Sequence, residues 1–201
     1  DRLAFIRHAR ELGFPLDAIR ELLDLSDVPD RSCAAADAIA RRQLEAATML
    51  SVAEQAAELG FTGLGVTGGE PFLLPWLPET VRAMAALLPV VLLTNGTLFE
   101  GDRINRALLL ADHDVALQIS LDSHRPDLND LARGEDNFAK VVAAVPRLVA
   151  GGVTVRIATT TAGPLDDPRL DPLRRLVTSL GVAPENHLVR PIVRRGRADL
   201  E

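Results

Sequence analysis

The chain has 201 residues, which is enough for one sizeable core or for a small helical module followed by a partial barrel. Its 47% hydrophobic content is ordinary for a globular protein, and no apolar run reaches the roughly 18 residues that a bilayer span needs, so we expect a cytoplasmic protein with no membrane association. The formal charge of −6 argues against nucleic-acid binding over the whole surface, and the single cysteine, Cys33, excludes both an internal disulfide and a multi-cysteine metal site.

The pattern of residues 1–59 predicts helix almost throughout. Apolar residues recur at helical spacing between positions 3 and 12, and Gly13 ends that helix. A second short helix follows Pro15. Neither Gly nor Pro interrupts the Ala-rich stretch 33–59, which therefore predicts one long helix.

After Gly60 the pattern changes to short β-branched runs that alternate with amphipathic helices. The predicted strands are 62–67, 90–94, 115–121, 153–159 and 187–193, and the predicted helices are 78–88, 102–111, 137–150 and 168–180. Parallel strands need a crossover, and the usual crossover is a helix, so this alternation predicts an α/β fold with a parallel sheet. Ligands of such folds gather at the carboxyl ends of the strands.

Three predicted strands end in polar, glycine-containing segments. The first is Thr67-Gly-Gly-Glu-Pro71, where two glycines let a ligand approach the backbone and a carboxylate could receive an ammonium group. The second is Thr94-Asn-Gly-Thr97, and the third is Ile119-Ser-Leu-Asp-Ser123, whose hydroxyl and carboxylate lie two residues apart and suit a ribose or an amino-acid moiety. A tight strand exit and a capped turn are the structural alternatives for these segments.

In this order the three segments resemble the radical S-adenosylmethionine (radical SAM) family. The resemblance continues through Arg133-Gly134 and Phe138 and ends with Arg190-Pro191 and Gly196-Arg197-Ala198. It implies that residues 49–201 form a partial (β/α)6 barrel, strands 2–6 of the family's fold, behind an all-α segment that ends in a long helix.

The resemblance also implies a binding site for S-adenosylmethionine (SAM). Its amino group would meet the Gly-Gly-Glu loop, its ribose or carboxylate would face the serine and the aspartate, and its adenine would lie near 189–191. The candidate cofactor-binding residues are Gly68, Gly69, Glu70, Pro71, Asn95, Ser120, Asp122 and Arg190.

The family holds a [4Fe–4S] cluster with a Cys-x3-Cys-x2-Cys loop after its first strand, and this sequence lacks that loop. Thiolates are the usual ligands of such clusters. We therefore expect no reductive cleavage of SAM, no catalytic residue in this chain and at most weak or vestigial SAM binding. His113, His124 and His187 are isolated in the sequence, which favours structural or surface positions over metal ligation.

Residues 1–48 resemble the MerR family of transcription regulators. The likeness is carried by residues 2–23 and by Asp30-Arg-Ser-Cys33 before the long helix. It implies a dimerisation helix and makes Cys33 a candidate metal ligand, although a lone cysteine at a helix start is more often a small buried hydrophobe. The helix-turn-helix of the family would precede Asp1, so we do not expect specific DNA binding, whereas a dimer through the long helix is consistent with the pattern.

Three interpretations follow from the sequence. The chain is an inactive radical SAM barrel whose intact relative modifies a peptide or a small molecule, or it is a regulator remnant that uses the barrel as an effector module. The third is that the two halves were joined by recombination or misassembly near residues 47–52.

Overall fold

The computed structural model describes residues 46–74 and 76–192, with the isolated positions 6, 19, 20 and 23. The chain divides into two units, one of residues 1–49 with 194–201 and one of residues 50–193. The second unit carries the candidate site and is described below. The two predicted amino-terminal helices, Cys33 and the first part of the predicted long helix lie outside the described residues, apart from those isolated positions.

Six α-helices, three short 3-10 helices and five strands make up the described ranges. In chain order they are α1 Ala46–Glu58, β1 Leu64–Val66, a 3-10 helix Pro71–Leu73, α2 Leu77–Ala85, β2 Val90–Thr94, α3 Asp102–Leu108, β3 Val115–Ser120, α4 Pro126–Arg133, α5 Asn137–Ala150, β4 Thr154–Thr161, 3-10 helices Pro168–Leu170 and Pro184–Asn186 on either side of α6 Asp171–Ser179, and β5 His187–Pro191.

The five strands form one parallel sheet in the order β1-β2-β3-β4-β5. Each strand therefore pairs with the next strand in sequence, as expected when a helical crossover carries the chain one place along the sheet at every step. This confirms the predicted α/β class and the successive parallel strands of a partial barrel. Within the described residues, β1 and β5 are the two edges of the sheet.

The two faces of the sheet differ in composition. Residues that alternate along each strand share a face, and the register extends each set across the sheet. The first face is mostly buried and apolar; its central members are Val90, Leu92, Leu117, Ile119, Val155 and Ile157. The second face is more polar and carries Gly65, Val91, Leu93, Ala116, Gln118, Ser120, Thr154, Arg156, Ala158, Thr160, Leu188 and Arg190.

The element boundaries differ from the predictions in two informative places. Strand β1 has three residues instead of the predicted 62–67, since the chain leaves the sheet at the glycine pair that follows. Helix α4 was not predicted, because its two leucines, Leu128 and Leu131, are exposed and give no apolar stripe. It begins with Pro126 and presents buried Asn129 to the strand ends. No helix in the described part of the chain has both the length and the apolar character of a membrane span.

Candidate functional site

Glu70 joins the carboxyl ends of β1 and β2. Its carboxylate accepts hydrogen bonds from the Thr94 hydroxyl at 2.8 and 2.9 Å, from the Asn95 N–H at 3.0 Å and from the Phe72 N–H at 3.1 Å. The last of these bonds caps the 3-10 helix that begins at Pro71, which is buried. A carboxylate offers about four acceptor positions, so these donors use most of its capacity and fix the loop in place.

Gly68 and Gly69 lie in the loop that Glu70 fixes. A Cβ atom built on either glycine would meet nothing within 4 Å, and neither glycine has a positive φ. Their N–H and C=O groups make no hydrogen bond to any described residue. Packing and backbone strain within this unit therefore do not require glycine at these positions, and the space beside them is open.

Asn95 and Thr97 form the turn that follows β2. Oδ1 of Asn95 accepts hydrogen bonds from the Thr97 N–H at 2.9 Å and from the Thr97 hydroxyl at 2.6 Å. These two bonds form an Asx turn. Gly96 has φ +76° and lies so close to Ile119 that a Cβ would stand 2.7 Å from its Cγ2. This glycine is required for the turn, in contrast to the pair after β1.

Ser120 and Asp122 follow one another at the end of β3 but have different surroundings. Asp122 accepts from the Arg133 Nε at 2.6 Å and from the Thr160 N–H at 2.8 Å, so both of its oxygens are used. The Ser120 hydroxyl makes no hydrogen bond within the described residues, and its side chain is half-buried on the second face. Asp122 thus ties α4 and β4 to β3, and Ser120 remains available.

Two buried asparagines, which the sequence analysis did not single out, connect the ends of β2 and β3. The Asn137 side chain donates to the Asn95 carbonyl at 3.1 Å, and Asn129 donates to Oδ1 of Asn137 at 2.9 Å. Oδ1 of Asn129 accepts from the Asp122 N–H at 3.0 Å. Asn129 is 0% and Asn137 1% exposed. Asn137 lies in the predicted helix 137–150, and Asn129 lies in a segment with no predicted element. The sequence carried no other signal for this connection.

His187 and Thr159 form a further polar contact, between β5 and β4. Thr159 Oγ1 lies 2.7 Å from the Leu121 carbonyl and 2.9 Å from His187 Nε2. Because the carbonyl can only accept, the hydroxyl donates to it, and the Nε2–H of His187 donates to the hydroxyl. Burial, with a smaller contribution from the Arg174 guanidinium, lowers the pKa of His187 below its usual value.

Arg190, the last candidate, projects from β5 on the second face. Its Nη2 lies 3.3 Å from Oε1 of Gln118 on β3, and the Arg190 residue is exposed. Gln118 is the register partner of Arg156 on β4. Seven of the eight sequence-predicted residues thus lie at or just beyond the carboxyl ends of β1, β2 and β3, while Arg190 of β5 reaches across the face of the sheet.

Other features of the described unit are less suited to a site. A cavity of about 420 Å³ opens beyond the end of β4, and it is lined by Thr161, Ala162, Gly163, Asp167, Arg169 and Leu170. No group of three His, Cys, Asp or Glu side chains with metal-binding geometry occurs in the ranges that the structure covers.

Comparison with protein families gives two matches. The model of the radical SAM superfamily matches residues 31–177, and the model described as "MerR, DNA binding" matches residues 1–49. The two matched ranges overlap between 31 and 49.

Curated relatives fall into the same two groups. The chain is 32% identical over 126 residues to GTP 3',8-cyclase 1 of Mycobacterium tuberculosis, covering 56% of this chain and 34% of the relative. It is 36% identical over 113 residues to mycofactocin maturase MftC of Mycobacterium ulcerans, covering 52% and 29%. A 33-residue segment is 58% identical to a probable heavy metal-dependent transcriptional regulator of Haemophilus influenzae, covering 16% and 26%. The matched segments thus span about a third or less of these relatives.

Solved structures agree on the fold. SuiB of Streptococcus suis bound to the precursor peptide SuiA superposes with a TM-score of 0.61 at 15% identity, covering 77% of this chain and 34% of that one. A second SuiB structure gives a TM-score of 0.60 at 16% identity, with 76% and 35% covered. The shared feature is the parallel sheet with its helical crossovers.

Proposed function

Because this chain belongs to the radical SAM superfamily, we propose that its residues 50–192 bind SAM at the carboxyl ends of the five strands without cleaving it. The family implies two cofactors, SAM and a [4Fe–4S] cluster. The residues of this chain suit SAM but do not suit the cluster. The proposed division of the chain is a MerR-like helical segment at 1–48 and a partial radical SAM barrel at 49–201.

The loop of Gly68 and Gly69 is the observation that carries this proposal. Glycines that neither packing nor backbone strain requires are explained if a ligand approaches the backbone closely. The free N–H and C=O groups of the loop suit the methionine end of SAM. The Glu70 carboxylate is bonded to Thr94 and Asn95 at the end of β2, so its main role is to hold this loop in position. A lone pair of the carboxylate that these bonds leave unused could accept from the amino group of SAM.

The other candidates divide into contact and positioning residues. Ser120 offers a free hydroxyl to the ribose or the carboxylate, and Arg190 borders the adenine from β5. Asp122 and Asn95 use their side-chain oxygens within the protein, so we assign them the task of fixing the loops after β3 and β2. Pro71 begins the short helix that Glu70 caps.

The cluster does not fit the residues of this chain. Three thiolates hold it in the family, where it supplies the electron for SAM cleavage, and the sequence contains one cysteine. We therefore propose no redox step and assign no catalytic residue. Anaerobic reconstitution with iron and sulfide, followed by an assay for 5′-deoxyadenosine, should give no product, and clear product would overturn this part of the proposal.

Titration of the purified chain with SAM tests the binding site itself. Gly68→Ala and Gly69→Ala should keep or raise the melting temperature, because alanine at an unstrained glycine position reduces the entropy of the unfolded chain. Each should nevertheless weaken SAM binding, as should Ser120→Ala. SAM binding that these three variants leave unchanged, or a wild-type chain that binds no SAM at millimolar concentration, would contradict the site.

The substrate class in the intact family context is a peptide or a small molecule. The peptide reading is supported by the structural likeness to SuiB, which was solved with a precursor peptide, and the small-molecule reading by the sequence likeness to the GTP cyclase. Both comparisons cover about a third of the relative, so the activity of the whole relatives is not transferred to this chain.

A regulator is the second candidate function. The match of residues 1–49 to the MerR model and the 58% identity to the metal-dependent regulator support it. In this reading Cys33 contributes to metal sensing, the long helix forms a dimer and the barrel unit is an effector module. Salt-dependent binding to duplex DNA, with a dimeric mass in solution, would favour the regulator; a monomer with no DNA affinity at low salt would exclude it.

A further inference from the structure

We propose that one continuous chain of hydrogen bonds, which begins on β5 and crosses the sheet, positions Glu70 and with it the loop of Gly68 and Gly69. Asn129 and Asn137 are then positioning residues of that loop, although neither is hydrogen-bonded to it. The effect on the loop does not depend on SAM, whereas any consequence for SAM binding rests on the proposed function.

The chain includes a group from each of the five strands or from the loop that follows it. Its seven hydrogen bonds are between 2.7 and 3.1 Å long. A peptide group carries the chain onward, because its C=O accepts on one side while its N–H donates on the other. Each member donates to the next in the order His187, Thr159, the peptide group of Leu121 and Asp122, Asn129, Asn137, the peptide group of Asn95 and Gly96, Thr94 and Glu70.

Backbone groups fix the orientation of the two asparagines. The Asp122 N–H can only donate, so it holds Oδ1 of Asn129 toward β3. The Asn95 carbonyl can only accept, so it holds Nδ2 of Asn137 toward β2. With both amides oriented in this way, the nitrogen of Asn129 meets the oxygen of Asn137 at 2.9 Å, and the direction of the chain is the same on either side of the pair.

The chain ends on the carboxylate of Glu70. A carboxylate only accepts, so the Thr94 hydroxyl donates to it at 2.8 Å and accepts from the Gly96 N–H at 3.1 Å. The same carboxylate accepts from the Asn95 N–H at 3.0 Å and from the Phe72 N–H at 3.1 Å. The turn that receives the asparagine chain at its carbonyl is thus the turn that holds Glu70.

Burial and alignment make this chain stronger than a set of separate turns. Hydrogen bonds that run in one direction polarise one another, by about 10–30% per bond in condensed-phase estimates. Thr94, Asn129, Asn137 and Thr159 are buried, so water does not readily replace a bond that is lost. The loss of one bond therefore weakens the next, with the largest effect on its nearest neighbours.

Amide hydrogen exchange of the full 201-residue chain, followed by NMR without SAM, tests the connection. Rates are expressed relative to those of the core strand β3, which report global unfolding. Asn137→Ala should speed the relative exchange of the Asn95 and Phe72 amides about 2- to 10-fold, because both donate to Glu70. The matched control is Leu148→Ala on the same helix, which removes buried apolar atoms without touching the chain and should leave these relative rates unchanged.

A second pair of variants tests the end of the chain, even where Asn137→Ala does not fold. Trp76 is the single tryptophan of a chain that has no tyrosine, and it follows the short helix that Glu70 caps. Its fluorescence therefore reports on this loop. Thr94→Val keeps the shape of the side chain but removes the hydroxyl, so quenching of Trp76 by acrylamide should increase. Thr94→Ser restores the hydroxyl and should restore the wild-type quenching.

Three outcomes in the free protein would each overturn the proposal: unchanged relative rates at Asn95 and Phe72 in Asn137→Ala, the same acceleration in Leu148→Ala, or equal quenching in the two Thr94 variants. Where the wild type binds SAM, Asn137→Ala should weaken binding about 2- to 10-fold, and unchanged affinity would contradict the positioning role. A wild type that binds no SAM rejects the proposed function but leaves the exchange and quenching results standing, so the two proposals fail separately.

Discussion

The side-chain amide of Asn129 donates a hydrogen bond to Oδ1 of Asn137 at 2.9 Å, and both residues are buried. The pair extends to the Asn95 carbonyl at one end and to the Asp122 N–H at the other. It therefore joins the loops after β2 and β3 through side chains of α4 and α5. Buried amides of this kind stabilise a fold only while every partner is present.

Truncation of Asn129 should be costly for that reason. Asn129→Ala leaves the Asp122 N–H and the Asn137 Oδ1 without a partner, and we expect the free energy of unfolding to fall by about 1–3 kcal/mol. Urea denaturation measures this loss. The exposed Asn105 of α3 is the control, and Asn105→Ala should leave stability unchanged or slightly raised, because alanine favours helix. Equal effects of the two substitutions would contradict the role of the buried amides.

Substitution of Glu70 tests the connection between β1 and β2. Glu70→Gln keeps the size of the side chain but turns an amide donor toward the Thr94 hydroxyl or the Asn95 N–H, both of which donate to the carboxylate. We expect a loss of about 1–2 kcal/mol in unfolding free energy and weaker SAM binding. The exposed Glu79 in the first turn of α2 is the matched control. An unchanged melting temperature for Glu70→Gln would show that the carboxylate does not hold the loop.

Alanine substitutions of Gly96 and Gly134 distinguish the stability cost of steric crowding from the cost of backbone strain. Gly96→Ala combines φ +76° with contacts of 2.7 Å to Ile119 and 3.0 Å to Val141, and should cost roughly 2–4 kcal/mol. Gly134→Ala combines φ +99° with ψ 159°, a region essentially restricted to glycine, but no atom lies within 4 Å of its Cβ, so it should cost only the strain, about 1–3 kcal/mol. Thermal unfolding compares the two. A larger loss at Gly134 than at Gly96 would contradict the packing described for the turn after β2.

His187 gives the unit a pH dependence with a definite sign. Because the pKa of His187 is lowered in the folded state, the unfolded chain binds more protons below its usual value of 6.5. The neutral form of His187 therefore contributes its full stabilisation above pH 6.5, and this stabilisation is lost as the pH falls from 6.5 through the pKa of His187 in the folded state. His187→Gln keeps an N–H donor for Thr159 without the titration. The difference in melting temperature between pH 8 and pH 5 should be smaller in this variant than in the wild type, and equal differences would argue against the histidine.

The sequence by itself determined the class of the fold, the order of its strands and the motifs at three strand ends. These features depend on residues that are close together in the sequence. Runs of β-branched residues specify strands, and amphipathic repeats specify helices. Gly68-Gly69 before Pro71 ends the first strand whatever elements surround it in the fold. The cysteine count also belongs to the sequence alone, and it is the basis of our proposal that this chain does not hold the cluster.

The tertiary structure decided which polar groups are used and which are available. Glu70 and Asp122 read alike in the sequence as ligand-facing carboxylates, yet the first is engaged by β2 and the second by Arg133 and Thr160. Arg190 and Gln118 stand 72 residues apart and meet only because strand register brings them together. Such contacts depend on long-range packing, for which a single sequence carries no local signal, so the buried asparagines and the contact of Arg190 with Gln118 emerged only from the folded chain.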